Sequence, residues 1–142
     1  MKTSLLFKTL LLASAVLALT NAAHAETYTV DSRHTFPVFE VEHFTFSIQR
    51  GRFNKTAGTI QYDQTNPAQR KVSGEIIIDA TSVDMGLEDW NKHMRGENFL
   101  NTDKYPTIRF LFPEFQLPVH AKVNFIPGEL TLLGVTKPVK IG

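Results

Sequence analysis

Cysteine is absent from the 142-residue chain. That excludes disulfide staples, thiol catalysis, Cys-ligated zinc and a lipidated N-terminal cysteine, so the core alone must hold the fold. An excess of either charge is also missing: 15 Lys and Arg stand against 14 Asp and Glu. A surface this close to neutral excludes nucleic acid as a partner and argues equally against an anionic membrane surface. There is no G-x-S-x-G, no glycine-rich phosphate loop, and no H-x-H or H-E-x-x-H pattern. Internal repeats and low-complexity tracts are lacking too. One globular domain is what such a composition, 42% hydrophobic and 20% charged, describes.

The longest apolar run is Leu10 to Leu19, too short for a membrane span, which needs about 20 residues. Lys2 and Lys8 flank its start, and Ala23-His24-Ala25 follows as an A-x-A site. Residues 1–25 are therefore expected to be a cleaved signal peptide, with cleavage after Ala25 and residues 26–142 as the domain. A buried N-terminal helix is the alternative. Cleavage removes two lysines and no acid, which turns the formal charge from +1 to −1. Export without cysteine fits a bacterial periplasm, with secretion to the medium as the other destination. No stable membrane insertion is expected.

From Tyr28 onward the chain reads as sheet. Tyr28-Thr29-Val30 is a short strand, and His34 to Val41 follows with Pro37 demanding an edge position or a bulge. The apolar phase changes near His43, from Phe39 and Val41 to Phe44, Phe46 and Ile48, which implies a bulge or a single helical turn. Asn66-Pro67 closes a strand around Ile60 and Tyr62, and Lys71 to Asp79 is strongly β-prone. Val119 to Phe125 alternates cleanly, Pro127-Gly128 reads as a turn, Leu130 to Leu133 returns, and Gly134 breaks or bulges that strand. Seven or so short strands at regular spacing predict an all-β fold, a barrel or sandwich. The exception is Leu87 to Gly96. Leu87, Trp90, Asn91 and Met94 share one helical face, with Asp84 as candidate N-cap and Gly96 as a left-handed C-cap. After Tyr105-Pro106 the period returns to two, with Ile108, Phe110 and Phe112 on one face.

The segments YTVDSRHTFPVFEVEHF, GRFNKTAGTIQYD, HMRGENF, YPTIRF and GELTLLGVTKPV occur in the order seen in YceI-like proteins, and the chain resembles that family from Tyr28 to Val139. The resemblance implies an antiparallel lipocalin-like β-barrel in the periplasm with one short helical insert. Its implied ligand is an isoprenoid lipid, a polyprenyl chain or an isoprenoid quinone, with no established catalytic reaction and no other cofactor. Two positions depart from the pattern. Asn101 stands where family members usually carry an acid, and the family normally continues for several dozen residues beyond the match to Gly142. The barrel is therefore expected to lack C-terminal strands, and a free edge invites a homodimer.

The residues support the same ligand class independently. Phe39, Val41, Phe53, Ile60, Tyr62, Ile76, Ile78, Ile108, Phe110 and Phe112 can form one inward face, either packed together or lining a cavity. Ten of the 11 phenylalanines follow the leader. Trp90, Met94 and Phe99 are candidates for a lid over that interior, or for a plug of one barrel end. His34, His43 and Arg95 are candidate headgroup contacts at the mouth, Arg95 alternatively tying down the helix end. A metal- or haem-binding protein using His34, His43 or His93 is a competing reading, and a truncated copy that binds nothing is another. Asp31, Ser32 and His34 have the residue types of a triad but crowd into one turn, which prevents convergence. Glu97 and Asp103 are expected in a solvated loop. No enzymatic activity is expected.

Overall fold

The computed structural model describes residues 25–118, 123 and 125–142. Residues 1–24, which hold most of the expected signal peptide, and residues 119–122 and 124 lie outside the described residues, and so does most of the strand expected at 119–125. Nine strands are present among the described residues: β1 (Glu26–Thr29), β2 (Val38–His43), β3 (Ser47–Phe53), β4 (Thr56–Asp63), β5 (Lys71–Asp79), β6 (Val83–Asp84), β7 (Thr107–Gln116), β8 (Ile126–Leu132) and β9 (Val135–Ile141). A 3₁₀ turn, Ala80–Ser82, joins β5 to β6, and one helix, α1 (Glu88–Arg95), follows. All pairings are antiparallel. Six strands form a sheet in the order β1-β4-β5-β7-β8-β9, and three form a second sheet, β2-β3-β6. Among the described residues the sheets do not join into a closed barrel: β9 pairs only with β8, and β2 only with β3.

Register decides which side chains face inward, because cross-strand partners share a face. Ile78 lies opposite Ile108, Ile76 opposite Phe110 and Gly74 opposite Phe112. Ile60 lies opposite Gly74, and Phe110 opposite Leu130. One face of the larger sheet is thus apolar from β4 to β8. The other face carries the Arg109–Glu75 ion pair between neighbouring strands. The smaller sheet presents Phe39 and Phe53, whose rings lie 5.3 Å apart, together with Val83. Phe53, Ile78, Ala80, Val83 and Ile108 form the buried cluster between the sheets, and Phe39, Ile76, Met85, Met94, Leu100 and Leu130 pack against it.

Several turns differ from the sequence expectation. The phase change near His43 is a hairpin turn, not a bulge or a helical turn. Phe44 and Thr45 both take positive φ, and the Phe46 N–H donates to the His43 carbonyl at 3.1 Å. Pro127-Gly128 is not a turn either, and lies inside β8. Gly128 is there for space: a Cβ would meet the Phe110 ring at 2.5 Å. The turn falls at Leu133-Gly134, both with positive φ, directly between the paired residues Leu132 and Val135. Pro37 precedes β2, an edge strand, and its carbonyl accepts from the Phe53 N–H.

The helix is also capped differently. Its N-cap is Leu87, with no side-chain cap, while the Asp84 carboxylate serves the Gly86 N–H outside the helix. Gly96 is extended, with φ −66° and ψ 167°, and the left-handed residue comes later, at Asn101. A side chain that belongs to the helix does more than a cap here. Asn91 Oδ1 accepts from the Met85 N–H at 2.7 Å and ties α1 to the end of β6.

Gly74 tests this packing. A Cβ there would lie 2.5 Å from the Phe112 ring and 2.6 Å from the Thr59 carbonyl oxygen, and neither backbone nor a buried ring yields easily. The Gly74→Ala variant is expected to lose about 1–3 kcal/mol in a chemical denaturation experiment, the usual cost of overpacking. An unchanged midpoint would show that the Phe112 ring is not held over Gly74.

Candidate functional site: an apolar cavity between the sheets

Where the two sheets diverge from their shared cluster they leave a cavity of about 660 Å³. Phe39, Val41 and Phe53 wall it from the smaller sheet, Ile78, Ile108, Leu130, Leu132 and Ile141 from the larger one. Met94 at the end of α1 and Leu100 beyond it border the cavity too, and Phe36 and Pro37 line it from the loop before β2. Glu40 is the one ionisable residue among the lining positions. A pocket this size, dominated by aliphatic and aromatic carbon, lies within the range of about 300–1,000 Å³ typical of small-molecule sites. It offers a hydrocarbon an apolar wall with almost no polar handle, open to solvent at Val41, Leu132 and Ile141.

Of the residues singled out from sequence, Phe39, Val41, Phe53, Ile78, Met94 and Ile108 meet around this cavity. Ile76 packs beside it in the core. Phe110 and Phe112 share its sheet face but are buried against each other, ring centroids 5.7 Å apart and stacked. Ile60 and Tyr62 continue that face to β4, where Tyr62 meets Tyr28. The inward face thus divides into a filled aromatic row and an open pocket.

Trp90 and Phe99 do not border the pocket. They are 42% and 41% exposed, and the Phe99 ring lies against His93. Met94 is the residue of that candidate lid which reaches the cavity. Leu100, Leu130, Leu132, Phe36 and Ile141 are wall residues that sequence reasoning missed. Leu130 and Leu132 were legible from the period-two run Ile126, Gly128, Leu130, Leu132, once that strand is not broken at Pro127-Gly128. Leu100 sits in an irregular turn, its N–H bonded to the Met94 carbonyl, and no periodicity marks it.

The candidate mouth residues have local partners. His34 Nδ1 lies 2.8 Å from the Asp31 carboxylate, which also accepts from Arg33. These bonds, that with His34 foremost, hold the Asp31 carboxyl below its usual range. The His43 ring rests on Phe44 at 4.4 Å. Arg95 donates to Glu88 Oε1 at 2.6 Å, joining the last turn of α1 to the first, and its carbonyl accepts from the Thr102 N–H. The HMRGENF segment thus contains a brace of the insert. Among the described residues, no three His, Asp or Glu side chains converge as a metal site would require. His120 lies outside the described residues. No described helix is long and apolar enough to cross a membrane.

An open antiparallel barrel with an apolar pocket between its sheets is a lipocalin-like architecture. The chain belongs to the YceI-like family, whose domain matches residues 28–142. It is 38% identical over 141 residues to a UPF0312 protein of Pectobacterium atrosepticum, covering 96% of this chain and 71% of that one. It is 38% identical over 122 residues to protein YceI of Shigella flexneri, covering 84% and 62%. The chain spans about two thirds of the length of these relatives. The fold is similar to Burkholderia cenocepacia BcnA, with TM-score 0.60 and 24% identity over 74% of this chain and 64% of that one. It is also similar to the YceI protein of Campylobacter jejuni, with TM-score 0.53 and 25% identity over 80% and 64%.

The carboxylates that brace the insert make its stability depend on acid. The Gly86 N–H and then Asn54 hold the Asp84 carboxyl below its ordinary value. The Arg95 guanidinium, followed by Asn91, does the same for Glu88. A carboxyl depressed in the folded state contributes stability above its unfolded value and loses it as pH falls through the folded one. The melting temperature should therefore fall as the pH drops below the ordinary carboxylate range. Glu88→Gln should flatten part of that decline, and an identical pH profile in the variant would refute the Glu88 contribution.

Proposed function

We propose that this protein binds the hydrocarbon tail of an isoprenoid lipid, a polyprenyl chain or an isoprenoid quinone, in the cavity between its two sheets. The observation that carries the reading is the cavity itself: about 660 Å³ walled by apolar side chains from both sheets, α1 and the loop before β2. The YceI-like membership supports it, through the ligand class that the resemblance implies. In this reading residues 1–25 direct export, cleavage follows Ala25, and the domain works in the periplasm. No catalytic step and no further cofactor belong to it.

The energetics favour a chain over a headgroup. Burying one CH₂ contributes about 0.8 kcal/mol, so an isoprene unit contributes about 3–4 kcal/mol gross. A few units exceed the association cost of about 4–15 kcal/mol. With Glu40 as the one ionisable lining residue, the wall offers a headgroup little to recognise. Discrimination should then fall on chain length, and different headgroups should be tolerated.

Organic extraction of the purified exported protein, followed by mass spectrometry, is the test. A stoichiometric polyprenyl lipid or isoprenoid quinone is expected. Leu132→Asp places a charge in the wall at a position already partly open to solvent, so the variant should fold and lose at least about 90% of the bound lipid, given the cost of burying an unpaired charge. An empty extract from folded wild-type protein, or full lipid occupancy in the variant, would contradict the proposal.

A further inference from the structure

The β2–β3 hairpin ends in the two most exposed large hydrophobic side chains among the described residues, Phe46 and Phe44, with Ile48 just behind them. Phe46 is 93% exposed, Phe44 78% and Ile48 60%. The hairpin is little supported there: among the described residues β6 pairs with β3 only at Arg52 and Phe53, and no third strand joins its outer half. The backbone is costly at the same place. Positive φ at two consecutive turn positions suits Asn-Gly, whereas here a phenylalanine and a β-branched threonine adopt it. Both hydration and turn geometry are unfavourable at Phe44-Thr45.

We propose that this tip is a bilayer-contact element, through which the cavity takes up and releases its lipid chain. The proposal rests on the lipid-binding reading and says how the site is loaded. From Phe44 to Ser47 the turn carries no charged residue, Glu42 lies across from Ile48 just behind it, and the ion pair Arg50–Glu40 stands further back at 2.6 Å. An aromatic turn backed by a row of polar and charged side chains, Glu42, Glu40 and Arg50, matches the layering of a bilayer interface. A protein partner fits less well, since stable interfaces take about 800 Å² from each side and some 20–30 residues, far more than three side chains at a turn. The tip also continues the cavity: Val41, on the same strand, is one of its wall residues.

The test is flotation of the full chain with phosphatidylcholine vesicles that contain no isoprenoid lipid. Wild-type protein should float with the vesicles, and equally at low and high salt, because phosphatidylcholine carries no net charge and the contact is made by Phe44 and Phe46. Phe44→Ser/Phe46→Ser should reduce partitioning by at least about tenfold, given the transfer value of two phenylalanines, and should slow loading of the emptied cavity from isoprenoid-containing vesicles by a similar factor. Phe44→Asn/Thr45→Gly gives a second readout. It should raise the melting temperature, since it suits the turn, and still weaken flotation. Leu132→Asp should float like wild type although its cavity is blocked, which separates failure of the tip from failure of the cavity. Wild-type protein that stays unbound would overturn the proposal, as would equal flotation of the Phe44/Phe46 variant. A dimer that dissociates in that variant, without vesicle binding, would assign the tip to self-association instead.

Discussion

The contact of Phe53 and Val83 with Ile78 and Ile108 holds the molecule together. It joins two sheets at a corner where the chain passes from β5 through Ala80–Ser82 into β6. The corner is fixed by short bonds. Asp79 caps the turn through the Thr81 N–H and hydroxyl, the Ala80 N–H donates to the Pro106 carbonyl, and the Asn54 N–H donates to the Ser82 carbonyl. Without cysteine no covalent link supports this junction, so apolar burial at the corner must offset the chain entropy of both sheets. The cavity is a consequence. It begins where that cluster ends, and Phe53, Ile78 and Ile108 belong to both.

Much of the fold was legible because strand periodicity and sheet burial agree over long stretches. Ile76 and Ile78, and Ile108, Phe110 and Phe112, alternate in sequence and face one side in the structure. The short helix was legible from Leu87, Trp90 and Met94. What failed was the meaning of glycine and of phase changes. Gly128 reads as a turn former next to proline, yet it stands in a strand to admit the Phe110 ring, a requirement set by β7, far away in sequence. The phase change at His43 reads as an irregular strand, because Phe-Thr is a poor signal for a positive-φ turn. Tertiary demands outweighed local propensity at both places.

The site was legible in part, for the same reason. Alternation identifies which side chains face inward, but not whether they fill the interior or line a space. Phe110 and Phe112 were indistinguishable in sequence from Ile78 and Ile108, yet the first pair packs over Gly128 and Gly74 while the second borders the cavity. Histidine and arginine raised functional expectations that the structure meets with local partners: Asp31 for His34, Phe44 for His43, Glu88 for Arg95. Leu100 and Phe36 reach the cavity from irregular segments, where no period announces them. The exposed phenylalanines of the β2–β3 turn stood out only once the turn itself was located.

The lipid-binding account depends on hydrocarbon occupying this cavity and not another apolar surface. Methyl NMR of the protein with an isoprenoid ligand addresses that directly, because the candidate walls carry distinct methyl groups. The account predicts ligand contacts to the methyls of Ile78, Ile108, Leu130 and Met94, with none to Ile77 or Leu111 on the opposite sheet face. Contacts confined to the outer face, or none at all in the presence of a bound ligand, would contradict it.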